Sequence, residues 1–369
     1  MASRSRTWLA IYARALANMA RAGGPAADPP GRILVPHHSL LGDTVLLAAC
    51  IAKLRARHPG AEIVHVMPRS FVPLFAGRPF GAVPVGWSAR DPASLEALWA
   101  LGPFDLALIN GDTRFGWLAR AIGARRVVAF SGERSAYKRW PVTDFVDMPG
   151  EPMAWSDLVA TLVPGEPAAP YARGQWPAPP FRPYDRPEGP YAVLHVGAST
   201  PHKTWLPERW ADLAAALEAR GLQACWSAGP GEEPLVAAIP GSGRRPNFAG
   251  RLELPQLWDL VANASLVVTG DTSVAHIGRA AFAPTVVLYG PSGPVLGGRG
   301  RFWGGCPGAS VAIDPFPCRD QDVLFKRRVA WVRRCSRGIA ECPVPRCMHG
   351  LGVQAVLSAA APFLPQTAA

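Results

Sequence analysis

Residues 266–293, LVVTGDTSVAHIGRAAFAPTVVLYGPSG, constrain the fold of this chain more tightly than any other stretch. An apolar run ends at Gly270-Asp271-Thr272-Ser273, a helix-period segment follows, and a second apolar run ends at Gly290-Pro291-Ser292. That order predicts a buried strand, a helix and another strand, the working unit of an α/β sheet. The turn carries chemistry as well. Where a strand stops at small hydroxyl residues, the first N–H groups of the next helix and the positive end of its dipole stay uncovered, which suits a diphosphate. Asp, Thr and Ser also simply cap helices, so one such turn has a sufficient structural account.

A second turn of the same kind lies upstream. Residues 191–213, YAVLHVGASTPHKTWLPERWADL, run from an apolar strand into Gly197-Ala198-Ser199-Thr200, then Lys203, then a helix begun near Pro207-Glu208. Two hydroxyl-rich turns and one lysine make a clamp for a pair of phosphates. A third element opens the chain: Ile33-Leu34-Val35-Pro36 reads as a strand, followed by His37-His38-Ser39-Leu40-Leu41-Gly42-Asp43-Thr44 and a helical pattern through Arg57. Asp43 then sits at a helix start above a strand end, either as an N-cap or facing whatever fills the crevice there.

Strand and helix patterns alternate through both halves, with apolar runs at 33–36, 62–67, 105–109 and 126–130, then 192–196, 223–228, 265–269 and 285–289. Between the halves, residues 164–190 are too proline-rich for a helix or a central strand and read as a connector. The expected layout is an N-terminal basic helix over 1–30, a Rossmann-like domain over 31–170, a linker over 171–190, a second Rossmann-like domain over 191–349, and a C-terminal helix and tail over 350–369. A hydrophobic content of 49% with 18% charged residues fits two packed cores.

The three motifs together resemble one family. ILVPHHSLLGDTVLLAACIAKLRARHPGAEI is similar to the opening of the bacterial heptosyltransferases, the ADP-heptose:lipopolysaccharide heptosyltransferases of glycosyltransferase family 9. HVGASTPHKTWLPERWADLAAAL and GDTSVAHIGRAAFAPTVVLYGPSG resemble that family's two donor-site motifs, in the expected order. The resemblance implies a GT-B architecture, two doubly wound domains facing across a cleft, and inverting transfer of heptose from ADP-heptose to a hydroxyl of a lipopolysaccharide inner-core acceptor. It makes Asp43 the base; independently of the resemblance, Asn110-Gly111-Asp112 at the end of a predicted strand places a second carboxylate near the same cleft, so Asp112 is the reserve base. Ser199, Thr200, Lys203, Thr272 and Ser273 hold the diphosphate, Asp271 orients the turn or the sugar hydroxyls, and His276 contacts diphosphate or ribose. Glu232 matches a ribose-binding glutamate, with Glu233 an alternative one step away. Ser273 stands where the family usually has glycine. Arg114, Arg134, Lys138 and Arg139 fall in the half where the resembled enzymes bind the acceptor, and arginines suit phosphate or carboxylate groups. No cofactor is required for the chemistry so implied.

The formal net charge of +11 asks for an anionic partner, although only four of the 38 basic residues are lysines. A phosphorylated glycolipid or an anionic membrane face fits it; nucleic acid does not, since no zinc-finger, RNP or helix-turn-helix signature is present. Within residues 1–24, Trp8, Ile11, Tyr12, Ala15, Leu16 and Met19 share one helical stripe with Arg4, Arg6, Arg14 and Arg21 largely off it, a helix suited to the protein's own surface or to peripheral membrane contact. Arginines break this run before a signal-peptide core forms, and no stretch of 18 uninterrupted apolar residues occurs, so the expected location is the cytoplasm or the inner face of the inner membrane.

Cys318, Cys335, Cys342 and Cys347, spaced C-x16-C-x6-C-x4-C, lack the C-x2-C knuckle of strong zinc sites but form a candidate structural site for zinc or iron. Two further readings stand beside lipopolysaccharide transfer: a protein O-heptosyltransferase of the autotransporter-modifying type, some of which carry a cysteine-bound metal, and a catalytically inactive nucleotide-sugar binder on the same fold. No G-x-G-x-x-G follows either half's first strand and no Walker lysine motif is present, which excludes the dehydrogenase and P-loop readings.

Overall fold

The computed structural model describes residues 4–21, 24, 26–37 and 40–364. Residues 1–3, 22, 23 and 25 of the expected N-terminal segment, His38 and Ser39 of the first motif, and the tail 365–369 lie outside the described residues, as does the side chain of Arg4. The chain divides into two compact units, one of Met1–Glu151, Ser156–Ala169 and Val323–Ala330, the other of Pro152–Trp155, Pro170–Asp322 and Trp331–Ala369.

The first unit is a parallel sheet of β1 (Arg32–Pro36), β2 (Glu62–Pro68), β3 (Val83–Trp87), β4 (Phe104–Ile109), β5 (Ala124–Phe130) and β6 (Asp144–Val146), in the order β3-β2-β1-β4-β5-β6. That is the doubly wound order of a Rossmann domain, and the order in which strands are added reverses between β1 and β4, all of them staying parallel. The crevice above a parallel sheet opens at that point, so Pro36-His37 and Ile109-Asn110 frame it. Leu34 pairs in register with Val64 on one side and Ala107 on the other, all three fully or almost fully buried. Strands β3 and β6 go beyond the sequence reading: Pro84 and Gly86 interrupt the apolar pattern of VPVGW, and DFV is too short to show one. The helical pattern expected after Thr44 and through Arg57 begins earlier and breaks at Leu47, giving Leu41–Leu46 and Ala48–Arg57.

The N-terminal helix, Arg4–Arg21, is part of this unit. Ile11 and Ala15 are fully buried, and Trp8, Tyr12 and Met19 pack on the same core. Thr7 Oγ1 donates to the Ala89 carbonyl at 2.8 Å and Asn18 Nδ2 to the carbonyls of Arg120 and Ala121 at 3.0 Å. Leu16 departs from the predicted stripe: it is 41% exposed, because the packing face turns through Ala15 and Met19.

The second unit holds β7 (Tyr191–His195), β8 (Gln223–Ser227), β9 (Leu266–Gly270), β10 (Thr285–Tyr289) and β11 (Gly308–Ala312), all parallel, in the order β11-β10-β9-β7-β8. Here the reversal lies between β7 and β9, so the two hydroxyl-rich turns singled out in the sequence are the two loops of the switch point. Leu194, Trp226, Val268 and Leu288 build the core, with Val356, Leu357 and Ala360 of the C-terminal helix Val353–Ala360 packed into it. The chain thus carries the two Rossmann-like domains expected of a GT-B protein.

Candidate functional site

In the second unit the loops after β7 and β9 are tied together by Lys203. Its Nζ donates to the Asp271 carboxylate at 3.0 Å and to the Asp271 carbonyl at 2.8 Å. Burial alone would raise the Asp271 carboxyl, but Lys203, His276 and a hydrogen bond from Ser292 Oγ bring it down to about 2. Thr272 caps the helix Ser273–Ala280, its Oγ1 accepting from Val274 N at 3.3 Å and lying 3.0 Å from Thr269 Oγ1. The cap and the phosphate-site readings are therefore compatible, since capping leaves the positive end of the helix facing the Lys203–Asp271 pair.

His276 lies in the first turns of that helix, buried, and its ring stays neutral: burial and the neighbouring Arg279 lower it to about 3 against the pull of Asp271. Arg279 can only donate, so the 3.1 Å contact of its Nη1 with His276 Nδ1 fixes the hydrogen on Nε2. Arg279 also donates to the Tyr289 hydroxyl and to the carbonyls of Gly297 and Gly298, at 2.9, 2.9 and 3.0 Å. Sequence reasoning missed Arg279, Tyr289 and Ser292 as parts of this network. Ser292 had a signal, as the hydroxyl that ends β10's loop; Arg279 and Tyr289 had none, being helix and strand interior by pattern.

Glu232 ties the loops after β7 and β8, its two oxygens accepting from Ala198 N at 2.9 Å and Gly229 N at 2.7 Å. A Cβ at Gly197 would stand 2.0 Å from Glu232 Oε2, so that glycine is required by the tie. Glu233 points elsewhere, against Gly250. Thr200 caps the short turn Pro201–Lys203, Ser199 is exposed beside it, and His202 Nε2 donates to the Cys342 carbonyl at 3.0 Å. The structure thus gathers Thr200, Lys203, Asp271, Thr272 and His276 at one sheet edge, with Glu232 one loop away.

In the first unit Asp43 is half-buried in the first turn of Leu41–Leu46, whose N-cap is Leu40; no side-chain cap bond is made there. The capping account of Asp43 therefore does not apply. His37, at the end of β1, is lowered by burial while the Asp43 charge raises it, and its Nδ1 meets Asn110 Oδ1 at 2.7 Å. Asp112, the reserve base, accepts from Lys138 Nζ at 2.8 Å and from Arg114 N at 3.0 Å, with Arg114 Nη2 at 3.7 Å. Burial would raise its carboxyl, but these partners hold it below the usual range. Of the expected acceptor residues, Lys138 is buried in that ion pair and Arg114 lies beside it, whereas Arg134 and Arg139 are exposed.

Burial raises the Cys318 thiol, with the neighbouring Cys335 and Cys342 adding to the rise, and Cys347 is raised by burial with Cys318, Cys335 and Cys342 around it. The four thiols occupy one neighbourhood, although among the described residues no group of three or more His, Cys, Asp or Glu is placed as a ready metal cage. Among the described residues no helix is long and apolar enough to cross a membrane.

The family described as glycosyltransferase family 9 (heptosyltransferase) matches residues 104–299. Lipooligosaccharide heptosyltransferase 2 of Haemophilus influenzae is 34% identical over 100 residues, 26% of this chain and 29% of that protein. Lipopolysaccharide heptosyltransferase 2 of Salmonella typhimurium is 26% identical over 308 residues, 71% of this chain and 84% of that protein. The match thus spans under a third of the first relative's length and most of the second's. The solved ADP-heptose lps heptosyltransferase II of E. coli superimposes with a TM-score of 0.65 at 19% identity, over 90% of this chain and 98% of that one. The iron-containing dodecameric glycosyltransferase TibC of E. coli gives 0.54 at 14% identity, over 90% and 78%. At such identities these last two speak to the fold.

Proposed function

This chain belongs to glycosyltransferase family 9, the heptosyltransferase family, and from that premise we propose that it moves heptose from ADP-heptose, with inversion, to a hydroxyl of a lipopolysaccharide inner-core acceptor. The observation that carries the reading is the Lys203–Asp271 tie between the two switch-point loops at the start of the helix Ser273–Ala280. A diphosphate at that helix start meets the dipole, the hydroxyls of Ser199, Thr200, Thr272 and Ser273, the remaining Lys203 hydrogen and the Nε2–H of His276. Because His276 is neutral it donates without adding charge, so Lys203 and the helix carry the electrostatic part. Glu232 keeps lone pairs beyond its two backbone bonds and accepts from ribose hydroxyls.

Asp43 takes the proton of the acceptor hydroxyl as its oxygen attacks the anomeric carbon. The bond from that carbon to the diphosphate breaks in the same step, and its electron pair leaves with ADP. Asp112 suits this poorly, since Lys138 and Arg114 hold its carboxylate in the charged form and lower its basicity. Arg114, Lys138, Arg134 and Arg139 supply the cationic side of the acceptor region. The neighbourhood of four thiols favours a second reading, a protein hydroxyl as acceptor with a metal as a structural staple at Cys318, Cys335, Cys342 and Cys347. Incubation with ADP-heptose and either delipidated inner-core oligosaccharide or an autotransporter passenger, followed by mass spectrometry, separates the two. Heptose on the oligosaccharide alone supports the first; heptose on the passenger replaces it; heptose on neither removes both.

A further inference from the structure

The first unit contains a cavity of about 380 Å³, within the ~300–1,000 Å³ typical of small-molecule sites. It opens at the switch point, past the ends of β1 and β4, where Pro36, His37, Ile109 and Asn110 line it. Two of its walls come from segments far away in sequence: Trp8 of the N-terminal helix and Phe325 of the late hairpin formed by β12 (Val323–Leu324) and β13 (Arg327–Arg328).

Both walls are placed with some precision by their surroundings. The Arg114 guanidinium lies over the Trp8 ring, 4.6 Å from its centroid, and 5.9 Å from that of Phe115. Its pairing with Asp112 is loose at 3.7 Å, Lys138 being the close partner of that carboxylate, and Arg114 Nε is buried with no acceptor among the described residues. Arg114 is thus the cation of the cavity whose hydrogens are least engaged, and the indole face fixes its plane. Asn110, 2% exposed, likewise has no acceptor for its Nδ2 among the described residues. Two buried donors at one cavity call for a ligand bearing oxygen acceptors.

Phe325 and Lys326 both adopt positive φ, 49° and 64°, a backbone region that non-glycine residues avoid. The hairpin tolerates this because Arg327 is anchored beneath it: Nε donates to the Ser131 carbonyl at 2.6 Å, and Nη2 to Thr113 Oγ1 at 2.7 Å and the Phe130 carbonyl at 3.0 Å. The result is a half-buried aromatic ring delivered against Gly111, where a Cβ would stand 3.2 Å from it. Aromatic faces beside amide, carboxylate and guanidinium groups match a saccharide, whose C–H faces are apolar and whose edges are hydroxyl-rich.

We propose that this cavity receives the sugar of the acceptor, with Trp8 the positioning residue that aligns Arg114 and Phe325 the apolar wall on which a sugar ring lies. The N-terminal helix and the late hairpin are then parts of the acceptor-recognition apparatus. The proposal rests on the reading of the chain as a sugar transferase.

The test uses the full chain and a deacylated inner-core oligosaccharide, with calorimetric affinity measured beside transfer kinetics. Trp8→Ala is expected to weaken oligosaccharide binding and raise its KM about tenfold, Phe325→Ala about fivefold, with ADP affinity unchanged in both. Trp8→Phe restores binding to within about threefold, since a smaller ring still stacks on the guanidinium. Trp8→Ala combined with Arg114→Ala is no weaker than Arg114→Ala alone, as expected where one residue acts through the other. Additive losses in that pair, or unchanged affinity in both Trp8→Ala and Phe325→Ala, overturn the proposal, as does wild-type protein that transfers heptose yet shows no dependence of acceptor KM on either residue. Wild-type protein that binds the oligosaccharide through Trp8 and Phe325 but transfers no sugar sustains the cavity and removes the transferase reading. Should Trp8→Ala fail to fold, Phe325→Ala carries the test, unchanged ADP affinity certifying its fold.

Discussion

Lys203 gives two of its three ammonium hydrogens to Asp271, so its replacement removes a structural tie and a phosphate donor together. Lys203→Met is expected to cost about 1–3 kcal/mol of stability by stranding a largely buried carboxylate, and to raise the Kd for ADP; calorimetry and thermal melting read the two effects separately. Asp43→Asn removes the proposed base. A loss of about 100-fold or more in kcat with unchanged ADP affinity is expected, and near-normal turnover in that variant would transfer the role elsewhere. Acid sensitivity follows from His276, lowered from 6.5 to about 3. Between those values the unfolded chain binds a proton there that the native chain does not, so stability falls as pH drops below about 6.5, by at most about 1.4 kcal/mol per pH unit from this residue. Asp271, lowered from 3.8 to about 2, adds its own loss only below pH 3.8. Melting curves from pH 7 to 4 should slope less in His276→Gln, and an unchanged slope would place the titration on other groups. At this scale the sequence was readable where a residue directly follows a strand, as Asp271 and Thr272 do after β9. It was silent on Arg279, whose partners come from Tyr289 and the Gly297-Gly298 carbonyls that only the folded chain brings near.

Elements were legible where burial imposes an unbroken apolar run, as in β7, β9 and β10, and illegible where a strand carries proline or glycine at a sheet edge, as β3 does. The register between elements depends on contacts that no local pattern encodes. Gly278 is one: a Cβ there would lie 2.3 Å from Thr285 Oγ1, so the helix Ser273–Ala280 approaches β10 at glycine distance. Gly278→Ala is expected to push that helix off the sheet and destabilise the protein by about 1–3 kcal/mol, measured by denaturant unfolding. Gly197→Ala acts differently. Its Cβ would displace the Glu232 carboxylate from the loop tie, so nucleotide affinity should fall while the melting temperature changes little, and the reverse pattern would make Glu232 a purely structural tie.

The whole molecule joins two independently cored units by a chain that returns to the first unit twice, at Ser156–Ala169 and at Val323–Ala330, each flanked on both sides by residues of the second. The proline-rich 164–190 stretch reads as a connector in the sequence, whereas the later return, at 323–330, had no signal there, since a four-residue ladder of two short strands has no periodicity to read. Division of labour between the units makes a measurable claim. The proposed donor residues Ser199, Thr200, Lys203, Glu232, Asp271, Thr272, Ser273 and His276 all lie in the second unit, so ADP stabilises that unit directly, by about 2.7 kcal/mol at a hundredfold excess over Kd. Amide hydrogen exchange should then slow across β7–β11 on adding ADP and stay unchanged across β1–β6. The hairpin at 323–330 should follow β1–β6, because Arg327 anchors it to Phe130, Ser131 and Thr113. Protection that rises equally in both sheets would mean that the nucleotide site is not confined to the second unit, and the assignment of the donor residues would have to be redrawn.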